Sequence, residues 1–361
     1  MIRIISLLSV LVLALTIEVA NADFAFGTPN PVPNVNSSAG QSNPEISADG
    51  LSLYFGSRRS GGYGSSDIWM ATRITIDDDW GIPVNLSPPI NSSAYESQPT
   101  ISADGLELYF SDGRHGSTGP YRADGYGGAD IWVSTRDTKN DPWTEPVNLG
   151  PTVNSSAADS DPEISADGLT LFFHSDRPDG YGDVDLWVTT RSTRDGPWAE
   201  PVNLGPTINT SEYDGDPDIS SDGLSLFFCN YGRATSYDSD LWVTTRVTTT
   251  DPWEEPVNLG PMVNSNIDDS DPTISADGSI LYFGSDRSGV WEIWQVSITL
   301  IVDFNADGIV DAADMCIIVD NWGTDNSLCD IGPMPWGDGV VDVQDLIVLA
   351  EHLFEEFPPA E

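Results

Sequence analysis

Lysine occurs once in 361 residues, at Lys139, and histidine only three times. The 14 Lys and Arg face 57 Asp and Glu, which leaves a formal charge of −43. A chain so poor in cations does not bind nucleic acid by neutralising phosphates, because its summed field repels polyanions. Anionic membrane surfaces are disfavoured for the same reason. Cysteine is equally scarce: Cys229, Cys316 and Cys329 are too few to organise the main fold by disulfides. Histidines scattered at 115, 174 and 352 argue against a histidine-based metal site. Beyond the N-terminus no apolar run is long enough to span a bilayer. What the chain does have is 33 Gly, 26 Pro and 39% hydrophobic residues. That is too apolar for a disordered acidic tail and rich enough in turns to favour an all-β fold.

The first 22 residues read as an export signal. Arg3 gives the charged start, Ile4 to Leu15 the apolar stretch, and Ala20-Asn21-Ala22 the small-residue cleavage site. The mature chain is therefore expected to begin at Asp23 in a secreted, extracellular or periplasmic setting, with no transmembrane segment.

Self-comparison is the most informative step. The block Pro-x-Ile-Ser-x-Asp-Gly recurs with its Asp at 49, 104, 167, 222 and 277. The second interval is longer because of an insertion around Ser111 to Gly128. Each block continues into an apolar run such as Leu53-Tyr54-Phe55 or Leu171-Phe172-Phe173, then an Arg turn (Arg59, Arg114, Arg177, Arg233, Arg287). An acid-aliphatic-Trp step follows, from Asp67-Ile68-Trp69 to Glu292-Ile293-Trp294. Trp80, Trp143, Trp198 or Trp253 precedes the closing Pro-Val-Asn-Leu. Four short β segments per unit, repeated five times, predict a five-bladed propeller over residues 23–300. The fifth unit lacks its last strand, and Phe26-Gly27-Thr28-Pro29 to Ser38 matches that missing piece. The N-terminal segment is thus expected to close the ring.

These blocks, typified by Pro44…Ser47-Ala48-Asp49-Gly50…Leu53-Tyr54-Phe55, resemble the WD40-like Pro-Asp propeller repeats of the Tol-system propeller and oligogalacturonate lyases. The resemblance implies the fold and leaves the function open, since such propellers include binders, scaffolds and enzymes.

From residue 301 the pattern changes. Asp303, Asn305, Asp307, Asp311 and Asp314 supply oxygen ligands at loop positions 1, 3, 5, 9 and 12, and the Ile309 carbonyl adds another. With Gly308 at the sharp turn, the set suits a hard cation such as Ca²⁺. Met315, Ile318, Val319 and Trp322 then follow at helical spacing. A second, weaker copy carries Asp338, Val340, Asp342 and Asp345, with Met334 and Trp336 where the first loop has acid and amide. Residues 301–361 therefore resemble a dockerin type I domain, an EF-hand-like α-helical module that binds Ca²⁺ and plugs into a cohesin. Ala312-Ala313 and Val343-Gln344 depart from that family's usual recognition pairs, and a purely structural calcium fold stays open. Cys316 and Cys329 either staple the first helix to the following loop or stand as two thiols.

Just before each repeated Pro lie Asn43, Gln98, Asp161, Asp216 and Asp271, a ring of amides and carboxylates around the expected channel. It is read either as blade-holding structure or as a polar mouth for sugar hydroxyls or a cation. The Arg series is expected to pair with blade acids such as Asp67 or Asp185, and the tryptophans to pack between blades. The positions that break the repeat are the better ligand candidates: the insertion with Arg114, His115, Tyr121, Arg122 and Tyr126, and His174, which stands where other blades have Gly56, Ser111, Cys229 and Gly284. The Asn-Ser-Ser triplets at Asn36, Asn91 and Asn154 read as turn residues.

Glycosidase chemistry needs two differentiated carboxylates, which a repeated ring does not supply, and no nucleophile elbow or HExxH is present. The sequence alone thus leans against an enzyme. It favours a secreted recognition or scaffold propeller in polysaccharide binding or breakdown, docked through its calcium module to a cohesin-like or other extracellular protein. The alternatives are a glycoside hydrolase or polysaccharide lyase with its site in the channel, and a cell-surface interaction scaffold.

Overall fold

Each repeat folds into one antiparallel sheet, because its apolar segments are separated by turns that the sequence caps for itself. In the first repeat Gly50 adopts φ +69°, and Asp49 Oδ1 accepts from Leu51 N at 3.1 Å and from Ser47 Oγ at 2.7 Å. The same Ser-x-Asp-Gly turn recurs at Asp104, Asp167, Asp222 and Asp277. The structure, a computed structural model, describes residues 24–116, 119–233, 238–300, 302, 304, 309–324, 329, 331 and 340–354. The leader expected at 1–22 lies outside them.

Two short strands open the chain, β1 (Phe24–Phe26) and β2 (Asn30–Pro31). Blade 1 is β3 (Gln41–Ile46), β4 (Ser52–Ser57), β5 (Asp67–Thr72) and β6 (Val84–Asn85). Blade 2 is β7 (Ser97–Ile101), β8 (Glu107–Ser111), β9 (Ile131–Thr135) and β10 (Val147–Asn148). Blade 3 is β11 (Asp159–Ile164), β12 (Thr170–Ser175), β13 (Asp185–Thr190) and β14 (Val202–Asn203). Blade 4 is β15 (Asp214–Ile219), β16 (Ser225–Tyr231), β17 (Ser239–Thr245) and β18 (Val257–Asn258). Blade 5 is β19 (Asp269–Ile274), β20 (Ile280–Ser285) and β21 (Glu292–Leu300). The strands β3, β7, β11, β15 and β19 neighbour one another in turn, and β19 meets β3, so the ring is closed.

Closure comes from the N-terminal segment, as the split repeat implies. Strand β2 pairs with β21 through Asn30 opposite Gln295 and Pro31 opposite Trp294, the counterpart of β6 on β5. Strand β21 runs further than its repeat, to Leu300, and there β1 pairs with it as well. A side-chain clasp secures each outer loop. Asn91 accepts from Ile68 N at 2.8 Å and donates to Ile68 O at 2.9 Å. Asn154, Asn209 and Asn264 repeat it on Ile131, Leu186 and Leu241. Asn36 makes it with Ile293 across the ring closure. These asparagines are amide clasps rather than simple turn residues.

The apolar cores lie between blades, each built from neighbouring repeats. The tryptophans take part as expected: Trp143, Trp198 and Trp253 pack on the cluster of the preceding interface. The arginines need a correction. Arg59, Arg177, Arg233 and Arg287 each sit over a Phe and a Trp of their own blade. Their acids are not the acid-aliphatic-Trp residues. Arg177 pairs with Asp159 and Arg287 with Asp269, both at the start of an inner strand. Asp67 and Asp185 instead accept backbone N–H groups of the loops before them. In blade 2 this structural place is taken by Arg122, over Phe110 and Trp132 and 3.2 Å from Glu96, not by Arg114.

The C-terminal region forms two helices, α1 (Ala312–Asp320) and α2 (Val343–Glu351), over a small core including Val310, Ile318, Val341 and Leu349. Asp311 with Asp314, and Asp342 with Asp345, form capping boxes at their N-termini. Ile309 and Val340 are exposed before them. Asp303, Asn305, Asp307 and Asp338, the other expected calcium ligands, lie outside the described residues. Cys316 and Cys329 are not bonded to each other: the first is exposed on α1, the second buried in the core. No helix among the described residues is long and apolar enough to cross a membrane.

Candidate functional site in the propeller channel

The ring expected from the repeat forms, and a backbone irregularity builds it. Each inner strand carries a bulge where its register shifts, between Ser42 and Glu45, Ser97 and Thr100, Ser160 and Glu163, Gly215 and Asp218, and Ser270 and Thr273. The residue before each Pro sits in that bulge at positive φ: Asn43 52°, Gln98 57°, Asp161 51°, Asp216 52° and Asp271 53°. A strained conformation repeated five times is a means of aiming side chains. Here it turns all five toward the axis.

The five are linked to one another. Asn43 donates to Asp271 from its backbone N at 3.0 Å and from Nδ2 at 2.8 Å, and Gln98 Nε2 donates to Asp161. His174 lies between the carboxylates of blades 3 and 4. Its Nε2 is 3.1 Å from Asp161 Oδ2 and 2.6 Å from Ser160 Oγ, and its Nδ1 is 3.7 Å from Asp216 Oδ1. Burial pushes the imidazole down to about 4, so it stays neutral. Burial, then the Asp216 charge, holds both the Asp161 and the Asp271 carboxyls well above the usual range. Asp216 accepts from Tyr213 Oη at 3.2 Å and from Cys229 Sγ at 2.9 Å.

Above the ring opens a cavity of about 580 Å³ whose walls include Asp216, Asp271, His174, Tyr213, Arg58 and Arg114. His115 joins them and reaches Asp176 at 3.4 Å. The insertion therefore does contribute to the mouth, through Arg114, His115 and Gly116. Tyr121 does not: its ring packs against Gly113, outside the cavity, because the chain folds back to place Arg122 in the inter-blade stack. Arg58 stands where blades 3 and 5 have Asp176 and Asp286 before the structural Arg. The mouth is consequently cationic on the side of blades 1 and 2 and acidic on the side of blades 4 and 5.

Two features escaped the sequence reading. Tyr213 is one: it contacts His174 edge-on at 5.4 Å between ring centroids and is tied to Asp216. Its repeat partners are Gly40, Tyr95, Ala158 and Asp268, so only a search for broken symmetry would have found it. The other is a second layer of polar residues at the x of Pro-x-Ile-Ser: Glu45, Thr100, Glu163, Asp218 and Thr273. These are buried below the first ring. Among the described residues two buried groups have ligand atoms close enough to share a metal ion, within 4.8 Å of one another: Asp161 with His174 and Asp216, and Glu45 with Glu163 and Asp218.

No family model and no curated protein matches the chain. Solved structures with a similar fold include an alpha-L-arabinofuranosidase of Podospora anserina, 15% identical, TM-score 0.51, over 77% of this chain and 99% of that one. The catalytic domain of a Coprinopsis cinerea alpha-L-arabinofuranosidase is 13% identical, TM-score 0.51, over 76% and 97%. TolB of Acinetobacter baumannii is 12% identical, TM-score 0.45, over 73% of this chain and 56% of its own. Identity this low shows the fold alone, a five-bladed propeller. The lean against an enzyme is corrected: the same fold carries the two arabinofuranosidases, and the site is not the undifferentiated ring that the repeat implied, since Asp216 and Asp271 have different partners.

Proposed function

We propose that the propeller is a carbohydrate-active enzyme that hydrolyses a glycosidic bond at the channel mouth. One observation carries this reading: two carboxylates on the cavity wall, Asp216 and Asp271, have different surroundings. Asp271 is enclosed, takes two hydrogen bonds from Asn43 and is pushed upward by burial and by Asp216. Burial and the neighbouring Asp216 both favour the protonated carboxyl of Asp271, which suits it to the role of proton donor. It would give its proton to the departing glycosidic oxygen. Asp216, held by Tyr213 and Cys229, would take a proton from the attacking water, giving the two hemiacetal and alcohol products. His174 stands on the wall between Asp161 and Asp216.

The remaining readings are proposals about the rest of the chain: residues 1–22 as an export signal, 23–300 as the enzyme, and 301–361 as a dockerin-like Ca²⁺ module that attaches it to an extracellular protein. The test is release of new reducing ends from a polysaccharide panel by the full chain, with Asp216→Asn and Asp271→Asn alongside. Ends released by the wild type and lost in both variants support the assignment. Binding without cleavage by a folded wild type supports the recognition reading instead.

A further inference from the structure

We propose that the channel mouth carries a subsite for an acidic sugar, a uronic acid or a sulfated residue, borne singly on an otherwise neutral glycan. The inference rests on the hydrolase reading, whose substrate it narrows. A side annex of about 210 Å³ opens from the main cavity and shares Ser42, Arg58, Tyr95, Arg114 and Trp291 with it.

Charge sets the annex apart. The chain has 57 acidic residues against 14 Lys and Arg, yet among the described residues two arginines and no Asp or Glu line this space. Neither arginine does the structural work of its series. Arg59 fills the stack over Phe55 and Trp69 in blade 1, and Arg122 the stack over Phe110 and Trp132 in blade 2. Arg58 and Arg114 are thereby placed at the mouth, both exposed to solvent. A guanidinium presents a fork of N–H donors that matches a carboxylate or a sulfate, and such charge-assisted bonds are the strong ones.

The walls point the same way, because they too depart from the repeat. Trp291 stands where the other blades have Ser66, Ala129, Val184 and Ser239, and Arg58 where three of them have Gly113, Asp176 and Asp286. Tyr95 takes a place held by Gly40, Ala158 and Asp268 elsewhere, and shared in kind only by Tyr213. Half-buried ring surface beside two guanidinium groups fits a sugar with one charged substituent: its C–H faces pack on the rings while the anion meets the arginines. Asp216 and Asp271 line the acidic side of the same mouth and repel that anion, so the sugar enters in one orientation. The whole-chain charge of −43 adds a second selection. It repels a polymer charged at every residue, so the fitting glycan carries its acidic groups singly.

The test is a saturation-transfer NMR titration of the full chain with methyl glucuronoside, methyl galacturonoside and a glucose sulfate ester, and with methyl glucoside as the neutral probe. At least one acidic probe is expected to bind about 10-fold more tightly than methyl glucoside, the scale of one charge-assisted hydrogen bond. Which acidic probe does so separates carboxylate from sulfate. Arg58→Gln and Arg114→Gln should each weaken that probe a few-fold and together abolish the preference, with methyl glucoside unaffected. Trp291→Ala should weaken acidic and neutral probes alike. Acidic probes that bind no better than methyl glucoside, or not at all, would overturn the proposal. So would a preference that survives in the double variant, its fold checked by circular dichroism. Polygalacturonate bound more tightly than the single acidic sugars would overturn the requirement for isolated charges. The titration involves no cleavage, which keeps the two readings apart. An acidic preference with no reducing ends released from any polysaccharide retains the subsite and removes the hydrolase reading. Ends released from a neutral glycan by a chain without the preference do the reverse.

Discussion

Blades 1 and 2 present amides, guanidinium groups and the His115 imidazole to the channel mouth, whereas blades 3 to 5 present carboxylates, the His174 imidazole and a thiol. The backbone beneath is the same: one bulge at positive φ, one Ser-x-Asp-Gly turn and one asparagine clasp per blade. Asn43 and Asp216 are therefore repeat partners aimed alike, yet one donates to a neighbour and the other accepts from Tyr213 and Cys229. Repetition holds the ring, and departures from repetition set what each blade presents to the channel. The same contrast explains Arg114. Once Arg122 fills the inter-blade stack, Arg114 is placed at the cavity instead.

The largest effect expected from breaking this contrast falls on catalysis. Asp216→Asn should lower turnover at least about 100-fold, the range for loss of a general base, with the melting temperature little changed. Asn43→Ala, at the equivalent place in blade 1, should cost far less than that, because Asn43 acts through hydrogen bonds to Asp271, Asp161 and Ser97 and keeps its backbone bond to Asp271 as alanine. A kinetic comparison of the two on one substrate checks the pair.

A repeated position should show the opposite pattern. Asn154→Ala removes a buried clasp, with only 1% of Asn154 exposed, and leaves the Ile131 N–H without its partner, while Ile131 O keeps only Leu149 N at 3.1 Å. A loss of about 3 kcal/mol in unfolding free energy is expected from denaturant titration, with activity unchanged below the transition.

His174 gives a pH test of the unrepeated side. Its pKa is depressed in the folded protein to about 4, against about 6.5 when unfolded, so the unfolded chain binds the extra proton. Its contribution to stability is present above about pH 6.5 and is lost as pH falls toward 4, by on the order of 3 kcal/mol. Thermal unfolding of wild type and His174→Gln between pH 7 and 4 should diverge in that sense, the wild type losing more. The carboxyls raised in the folded state act with the opposite sign, and those away from His174, such as Glu45 and Glu163, act alike in both proteins.

The smallest effect is expected at the mouth. On the proposed hydrolase reading, Arg58→Gln and Arg114→Gln should weaken retention on a substrate polysaccharide by a few-fold, with the rate at saturation unchanged.

Most of the fold was legible because a repeat states its boundaries five times. The Pro-x-Ile-Ser-x-Asp-Gly block located every inner strand, and the split fifth unit located the closure. The first ring was legible for the same reason, since a residue before Pro recurs at one register. Tyr213 was not legible, because nothing in Glu212-Tyr213-Asp214 distinguishes an aromatic aimed at the axis from one on the rim. The lower layer was hidden by the bulge, which brings residues on both sides of the Pro to the axis and so defeats a simple count of alternation. Arg pairing was misread because Asp67 and Asp185 lie nearer in sequence than the inner-strand acids that the sheet brings beside Arg177 and Arg287. The Tyr121 expectation failed on chain direction, which an insertion's composition does not encode.

The most direct test of the central account is release of reducing ends by the wild-type full chain, beside Asp216→Asn and Asp271→Asn of equal thermal stability. Cleavage by the wild type that disappears in both variants is the predicted result. Cleavage retained by either folded variant would contradict the assignment of the chemistry to the unrepeated side of the ring.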